Sequence, residues 1–531
     1  PPDTVNGAEA LGEAPLEELR RAAAQTVDAV HGKATVSSAD GESLEYIVDA
    51  SAYLIGYLVE PDLSSSTVAA LNKAYPGYTY AGEYVSSSGN AAEGLSALLC
   101  DYVYQYQQER YGYVSPVGAA GSAALYPAVR WHEGEVSFDT DRLEASAKTG
   151  GSFFVAYSLQ PQDTALLGNT AAFADYTDSA GSFPYGGYVR DFRAAQTAHP
   201  LLIDRFGLST NTNAFEKETS VNGLSETEQG EGLVRMLKAI QAEDVLGGLI
   251  SDYDDNWSAC SEELEPYTLP YKDNPLWQNA LDAAQNTGVL AVEPKKSGDI
   301  ALSLKDNDRL QELQVSYDAA YIYLTVMLDR EVDYDAEQLF LGLDTYQRNN
   351  GEYLYDPAYF ATSLSGMEYV VKFESKNTAA IYVVPSYNRH NGGYASKESY
   401  TGAFDYIAQL TYGAFDTAGT NFYQTGSTIH LRLPWSLLNV TDPSRMTVIS
   451  DERPAEEIAG DAFGLQTTGT DGFLFSLLIA DKETKDSLYL FPLDKQASGY
   501  KTFRWSTWET VSYTLRQKSS CKILARYFSG L

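Results

Sequence analysis

The stretch Tyr53-Leu54-Ile55-Gly56-Tyr57-Leu58-Val59, with Glu60-Pro61-Asp62-Leu63 behind it, decides how the first half of this chain is read. An uncharged run rich in β-formers and stopped by a proline reads as a strand covered on both faces. Such strands belong to parallel sheets flanked by helices, because a half-exposed antiparallel strand alternates apolar with polar residues.

The neighbouring segments keep that rhythm. Residues 11–31 are amphipathic, with Leu16, Leu19, Ala23, Val27 and Val30 at helical spacing. Residues 91–110 repeat the pattern through Leu95, Leu98, Leu99, Tyr102 and Tyr106, and Ser152 to Tyr157 reads as a strand. Residues 186–197 read as a helix, and Leu201-Leu202-Ile203 as a short buried strand. Ser225-Glu226-Thr227-Glu228 has capping-box spacing and opens a helix that runs to Ala242. Val245 to Ile250 is the next strand, where Gly247-Gly248 lets backbones approach. Alternating strands and helices predict a parallel α/β architecture.

Near Pro294-Lys295-Lys296-Ser297-Gly298 the pattern changes to strict alternation, as in Leu313 to Tyr317 and Tyr321 to Val326. Further strands are expected at Gln338 to Leu343, Tyr369 to Phe373, Ala380 to Val384, Thr428 to Leu433 and Phe473 to Ile479. Turn residues such as Asn349-Asn350-Gly351 and Asn391-Gly392-Gly393 separate them, which is the signature of an antiparallel β-sandwich. The expected domains are therefore 1–294, α/β, and 295–531, all-β.

A chain of 531 residues is too long for one core. Its net charge of −35 argues against nucleic acid or an anionic membrane as partner, since phosphate would be repelled. Tyrosine outnumbers phenylalanine, 40 to 20, which suits wet contacts and sugar surfaces or, equally, Tyr-rich strands. Cys100, Cys260 and Cys521 have no CxxC spacing and read as buried thiols, with one disulfide left open. No run approaches the ~18–20 apolar residues of a membrane helix. No initiator Met or signal-like segment is visible. His31, His132, His199, His390 and His430 are scattered, with neither zinc-ligand nor triad spacing.

Several stretches resemble a family of large bacterial surface proteins with a glycosidase-like (β/α)₈ barrel followed by a carbohydrate-module-like β-sandwich. They are Val27-Asp28-Ala29-Val30-His31-Gly32, Asp49 to Tyr57, His199-Pro200-Leu201-Leu202-Ile203 with Phe206-Gly207, Leu224 to Gly230 and Gly247-Gly248-Leu249-Ile250. In the second half they are Leu431-Arg432-Leu433-Pro434-Trp435-Ser436-Leu437-Leu438-Asn439 and Thr441-Asp442-Pro443-Ser444. The resemblance implies the C-terminal portion of a TIM-type barrel, strands 4 to 8, and an extracellular or cell-surface location. It also implies a pair of carboxylates after strands 4 and 7, ~5–5.5 Å apart in a retaining glycosidase.

At those places this chain departs. Asp62 falls nearest the expected acid, with Glu60 as a shifted candidate, and Arg205 stands where the nucleophile is implied. A guanidinium cannot act as a nucleophile. Asp204 is next to it but alternation points it to the opposite face. Val114 to Gly121 lacks an aromatic sugar platform, and Phe154 to Pro161 keeps only Tyr157. The expectation is thus a degenerate barrel that binds or organises polysaccharide, with Tyr157, Arg205, Asp252, Asp254, Asp255 and Trp257 as sugar contacts. One alternative is an active retaining hydrolase or transglycosidase using Asp62 or Glu60 with Asp204 or Asp252. The other is a purely structural subunit of an extracellular assembly.

Asp252-Tyr253-Asp254-Asp255-Asn256-Trp257 offers hard oxygen ligands for a calcium ion, but its spacing is not that of an EF-hand, and a solvated loop over a packed Trp is the plainer reading. No other cofactor is expected. Trp435 reads as core, with Pro434 at a bulge or edge, and Trp505 and Trp508 as exposed contacts or core. The first clear strand resembles strand 4 of eight, so the expectation includes completion of the barrel by an upstream fragment. The alternative is an open barrel whose edge is covered by residues 1–30 or by a second copy.

Overall fold

A computed structural model describes residues 9–37, 43–61, 64–212, 223–262, 264–269, 275–295, 299–306, 308–389, 397–451, 466–495 and 500–530. Asp62, Lys296 to Gly298, His390 and Asn391-Gly392-Gly393 lie outside the described residues. The chain packs as two compact units, residues 1–207 with 234–251 and residues 208–233 with 252–531. The expected division at 294 differs from this. Residues 290–294 form a strand that pairs antiparallel with Tyr513–Gln517, so the segment joins the all-β unit through chain far ahead in sequence.

The first unit begins with α1 (Glu13–Val30), a two-stranded ribbon of β1 (Ala34–Ser37) and β2 (Ser43–Tyr46), and β3 (Tyr57–Val59). It continues with α2 (Ser65–Ala74), α3 (Ala91–Tyr111), β4 (Val117–Gly121), β5 (Phe153–Ser158), α4 (Pro184–Ala195) and β6 (Leu201–Phe206). Helix α5 (Glu226–Ala242), of which residues 234–242 belong to this unit, and β7 (Gly247–Ile250) follow. Strands β3 to β7 form a five-stranded parallel sheet in sequence order. Because that order never reverses, right-handed crossovers place every connection on the same side.

The covered face carries Tyr57, Val117, Ala119, Val155, Tyr157, Ile203 and Phe206, all buried. Each such aliphatic or aromatic contributes roughly 1.5–3 kcal/mol. Helices supply the cover: the Tyr104 hydroxyl of α3 accepts from Val117 N, and Phe192 of α4 packs on Tyr157. A side chain at Gly248 would strike Phe206 and Ile240 of α5, so close strand-to-helix packing selects glycine there. On the other face Leu58 and Leu249, on the outer strands, are 38% and 51% exposed, while Ala120 and Ala156 of the inner strands are buried. Among the described residues no pairing joins β7 to β3, so the sheet has two free edges.

Two caps fix helix starts as the sequence proposed or allowed. Glu228 N donates to Ser225 Oγ and Ser225 N to Glu228 Oε2, the reciprocal box read from the spacing. Asn90 and Glu93 form a second box at α3. The expected strand over 53–59 is shorter than its apolar run. Asp49 accepts from Ser51 N, Ser51–Tyr53 makes a single 3-10 turn, and only Tyr57–Val59 pairs. Tyr53 and Ile55 are each 88% exposed, because the run lies at a free edge instead of the sheet centre.

The second unit is all-β at its centre. A five-stranded sheet runs Leu302–Leu304, Leu310–Tyr317, Tyr321–Leu328, Thr428–Pro434, Phe422–Thr425. A six-stranded sheet runs Asp405–Leu410, Thr378–Val383, Tyr369–Ser375, Glu337–Asp344, Leu474–Asp481, Ser487–Phe491. Leu313, Val315, Ile322 and Leu324 from the first share one core with Leu339, Leu341, Val371 and Ile479 from the second. Trp435 is fully buried and its indole N–H donates to Asp318 O at 2.9 Å. Trp505 joins the core with its N–H on Pro443 O, and Trp508 stacks on Tyr317 with its N–H on Leu276 O. Both are packed residues, not projecting aromatics. Cys100 is buried, Cys260 exposed and Cys521 between, all as free thiols.

Glu226 anchors a long-range network in this unit. Arg516 grips both its carboxylate oxygens and also Glu293. Burial pushes the Glu226 carboxyl up, but Arg516 and the N–H groups of Ala418 and Ser519 outweigh it and hold the group below its usual value. The stabilisation is therefore present at neutral pH and lost as pH falls through that depressed pKa. Arg516→Met is expected to cost about 2–3 kcal/mol at pH 7, with the difference shrinking in acid; urea unfolding at the two pH values measures it. No helix among the described residues is long and apolar enough to cross a membrane.

Candidate functional site at the carboxyl edge of the parallel sheet

Parallel α/β sheets present their chemistry at the carboxyl ends of the strands, where loops diverge. Here β3 ends at Val59 and leads into Glu60, while β6 carries Asp204 and Arg205 in its last turns of chain. The pairing of β6 shifts register beside these residues: Ile203 pairs with Tyr157, but Arg205 with Ser158. The shift leaves Ile203 and Phe206 both buried, Asp204 partly buried and Arg205 exposed. A bulge of this kind re-aims side chains near a strand end. Gly207 closes it, since any side chain there would meet Ser251 O at 2.2 Å.

Asp204 is the unusual group. Its Oδ1 is buried and has no hydrogen-bond partner among the described residues. Burial pushes its carboxyl up to about 6; the charge of Glu60 adds to the rise and Arg205 opposes it. Burial is the larger cause and the neighbouring charge adds to it, so Asp204 keeps its proton to a higher pH than an exposed carboxyl does. Glu60 itself is exposed. Arg205 makes no ion pair among the described residues, so its guanidinium is not locked to a carboxylate. Asp62 cannot be placed, because it lies outside the described residues.

The remaining expected contacts are distributed differently. Tyr157 belongs to the covered face: it is fully buried, bonds Thr140 Oγ1 at 2.8 Å and packs on Tyr126 and Phe192. The alternation of a strand assigns it to the helix side, so no ring is offered to a sugar. In the second unit, the acidic run is mostly structural. Thr287 donates to Asp252 Oδ2 at 2.9 Å, and Asp254 bridges Leu290 in parallel. Asp255 accepts from Gly288 N and is paired at 2.8 Å with Lys518, whose side chain is fully buried. Trp257 is 6% exposed, with its indole N–H on Val292 O. Tyr253, Asp254 and Asn256 face outward. For calcium, Asp252 and Asp255 are already engaged, and among the described residues no three acidic, His or Cys side chains gather for a metal.

Sequence reading missed two residues. Asp163, in the loop after β5, accepts from Tyr188 OH and Gln160 N, and burial pushes its carboxyl up to about 6. Its position before Thr164–Leu167 marks it as a turn-former, but nothing local announces the Tyr188 hydroxyl. Lys518 was invisible because its partner is 263 residues away. No family model matches the chain, and no curated protein matches it.

Proposed function

We propose that the chain is a carbohydrate-directed protein of the cell exterior, whose parallel sheet is five strands of a glycosidase-like (β/α)₈ barrel and whose carboxyl edge binds polysaccharide. The observation that carries this reading is the grouping of Glu60, Asp204 and Arg205 at that edge. Among the described residues Asp204 has one unengaged oxygen and Arg205 no ion pair, and with the second carboxylate they offer both acceptors and planar donors, which is what sugar hydroxyls need. The −35 net charge favours neutral or cationic glycans over acidic ones. The all-β unit supports the reading as a carbohydrate-module-like sandwich, although its buried tryptophans assign no binding face.

A second reading is favoured by Asp204 specifically. An acid that holds its proton up to about pH 6 beside another carboxylate can protonate a glycosidic oxygen in mild acid, so residual hydrolysis with Asp204 as acid and Glu60 as its partner is the alternative. A panel of immobilised neutral, cationic and acidic glycans, assayed in parallel for reducing ends, separates the two. Binding without cleavage is expected, and Arg205→Ala is expected to weaken it about tenfold, the loss of a charge-assisted bond. Release of reducing ends that vanishes in Asp204→Asn establishes the second reading. Retention of no glycan, or binding unchanged in the Glu60→Gln/Asp204→Asn/Arg205→Ala triple variant, rejects both.

A further inference from the structure

We infer that the free β3 edge and the ribbon beside it form an interface between two copies of this chain, a second copy covering the edge that the barrel reading leaves to preceding strands. Between residues 44 and 58 seven large apolar side chains face solvent: Leu44 (60% exposed), Tyr46 (40%), Ile47 (79%), Val48 (74%), Tyr53 (88%), Ile55 (88%) and Leu58 (38%). Scattered exposed apolar residues are ordinary, but a cluster in fifteen consecutive positions is not. Together they expose on the order of 800 Å², which is about what one partner of a stable complex buries. The ribbon adds to the demand. Strand β2 is exposed at every position and β1 at three of four, and an isolated two-stranded ribbon is marginal in water. The edge of β3 adds main-chain groups that pair with no strand among the described residues, a template for another strand.

The chemistry of the patch selects the occupant. Its charged neighbours are Glu45, Asp49 and Glu60 against one cation, Lys33 beside Asp49, so the balance is acidic and an anionic lipid surface is repelled. Aliphatic side chains predominate, which gives a glycan little to hydrogen-bond. A second copy presents the same patch, and a two-fold axis brings apolar surface onto identical apolar surface. In that arrangement β3 meets its counterpart antiparallel, a pairing that a mixed sheet tolerates. Two chains of −35 repel at long range, so the contact gains strength as salt screens them.

Sedimentation equilibrium of the full chain, from low to high micromolar concentration and at low and high salt, tests this. The expected result is a monomer–dimer equilibrium that tightens with salt. Ile55→Asp is expected to raise the dissociation constant at least tenfold, while Phe360→Asp, at an 82% exposed strand residue of the all-β unit, leaves it unchanged. Both side chains are exposed, so neither change touches a core, and an unaltered thermal transition verifies that. A monomer under all conditions, a dimer that dissociates as salt rises, or equal loss with Phe360→Asp overturns the inference.

Discussion

Replacing Lys518 by methionine is expected to lower the stability of the second unit by about 3–5 kcal/mol at pH 7. The Nζ donates to Asp255 Oδ1, Thr210 Oγ1 and Asn286 O, and both partners of the ion pair are buried, with side chains 0% and 3% exposed. Burial already pushes the Asp255 carboxyl up to about 6, with Lys518 opposing the rise. Removing the ammonium leaves a carboxylate with the N–H of Gly288 but no counter-charge, and it must take up a proton to stay buried. The pH dependence therefore changes sign-specifically. An acid whose folded pKa stands above its unfolded one contributes most below the unfolded value and loses that contribution as pH rises. The variant is thus expected to be least damaged near pH 4 and most damaged above pH 7. The Lys518→Met/Asp255→Asn double variant should recover part of the loss. Tryptophan fluorescence reports this unit selectively, because Trp257, Trp277, Trp435, Trp505 and Trp508 lie in it and Trp131 does not.

The second large effect runs in the opposite direction. Asp204→Asn is expected to stabilise the first unit by about 2 kcal/mol at pH 7.5, and to change nothing near pH 4. The folded carboxyl titrates about 6 against an ordinary 3.8, so the native state binds its proton more tightly than the unfolded chain does. Its favourable contribution is complete below pH 3.8 and is lost as pH climbs through 6. Above that, the fold carries a buried charge with an unengaged oxygen, and an amide removes the charge. A group that costs stability where it sits is a signature of a functional position. Calorimetric melts of wild type and variant at pH 4 and 7.5 measure the difference. Equal stability at both pH values, or a destabilised variant at pH 7.5, contradicts the assignment.

These two residues also mark the boundary of what the sequence discloses. Helical spacing in α1 and α3, the Ser225–Glu228 box and strict alternation beyond residue 310 all act within a few residues, and the structure follows them. The α/β-then-β division is legible for the same reason. The continuous apolar run over 53–59 misled because apolarity signals a demand for cover, not the presence of it; at a free edge Ile55 stays in solvent. Trp257 and Tyr157 show the complementary limit. An aromatic beside acidic residues suits either a sugar platform or a core, and only the bonds to Val292 O and Thr140 decide for the core. Alternation alone points Asp204 away from Arg205. The register shift between β5 and β6 is what sets Arg205 outside and Asp204 partly inside, and no local sequence feature encodes that shift. Pairings such as Lys518 with Asp255 or Arg516 with Glu226 join chain ends that only the finished fold brings together.

The most direct test of the central claim, a proton-holding acid beside a second carboxylate at the carboxyl edge of the sheet, is a ¹³C-carboxyl NMR titration of Asp204 in wild type and in Glu60→Gln. The resonance is assigned by its absence in Asp204→Asn. The account predicts a midpoint of about 6 in the wild type and a lower one once the Glu60 charge is gone. A midpoint near the ordinary 3.8, unmoved by Glu60→Gln, contradicts it.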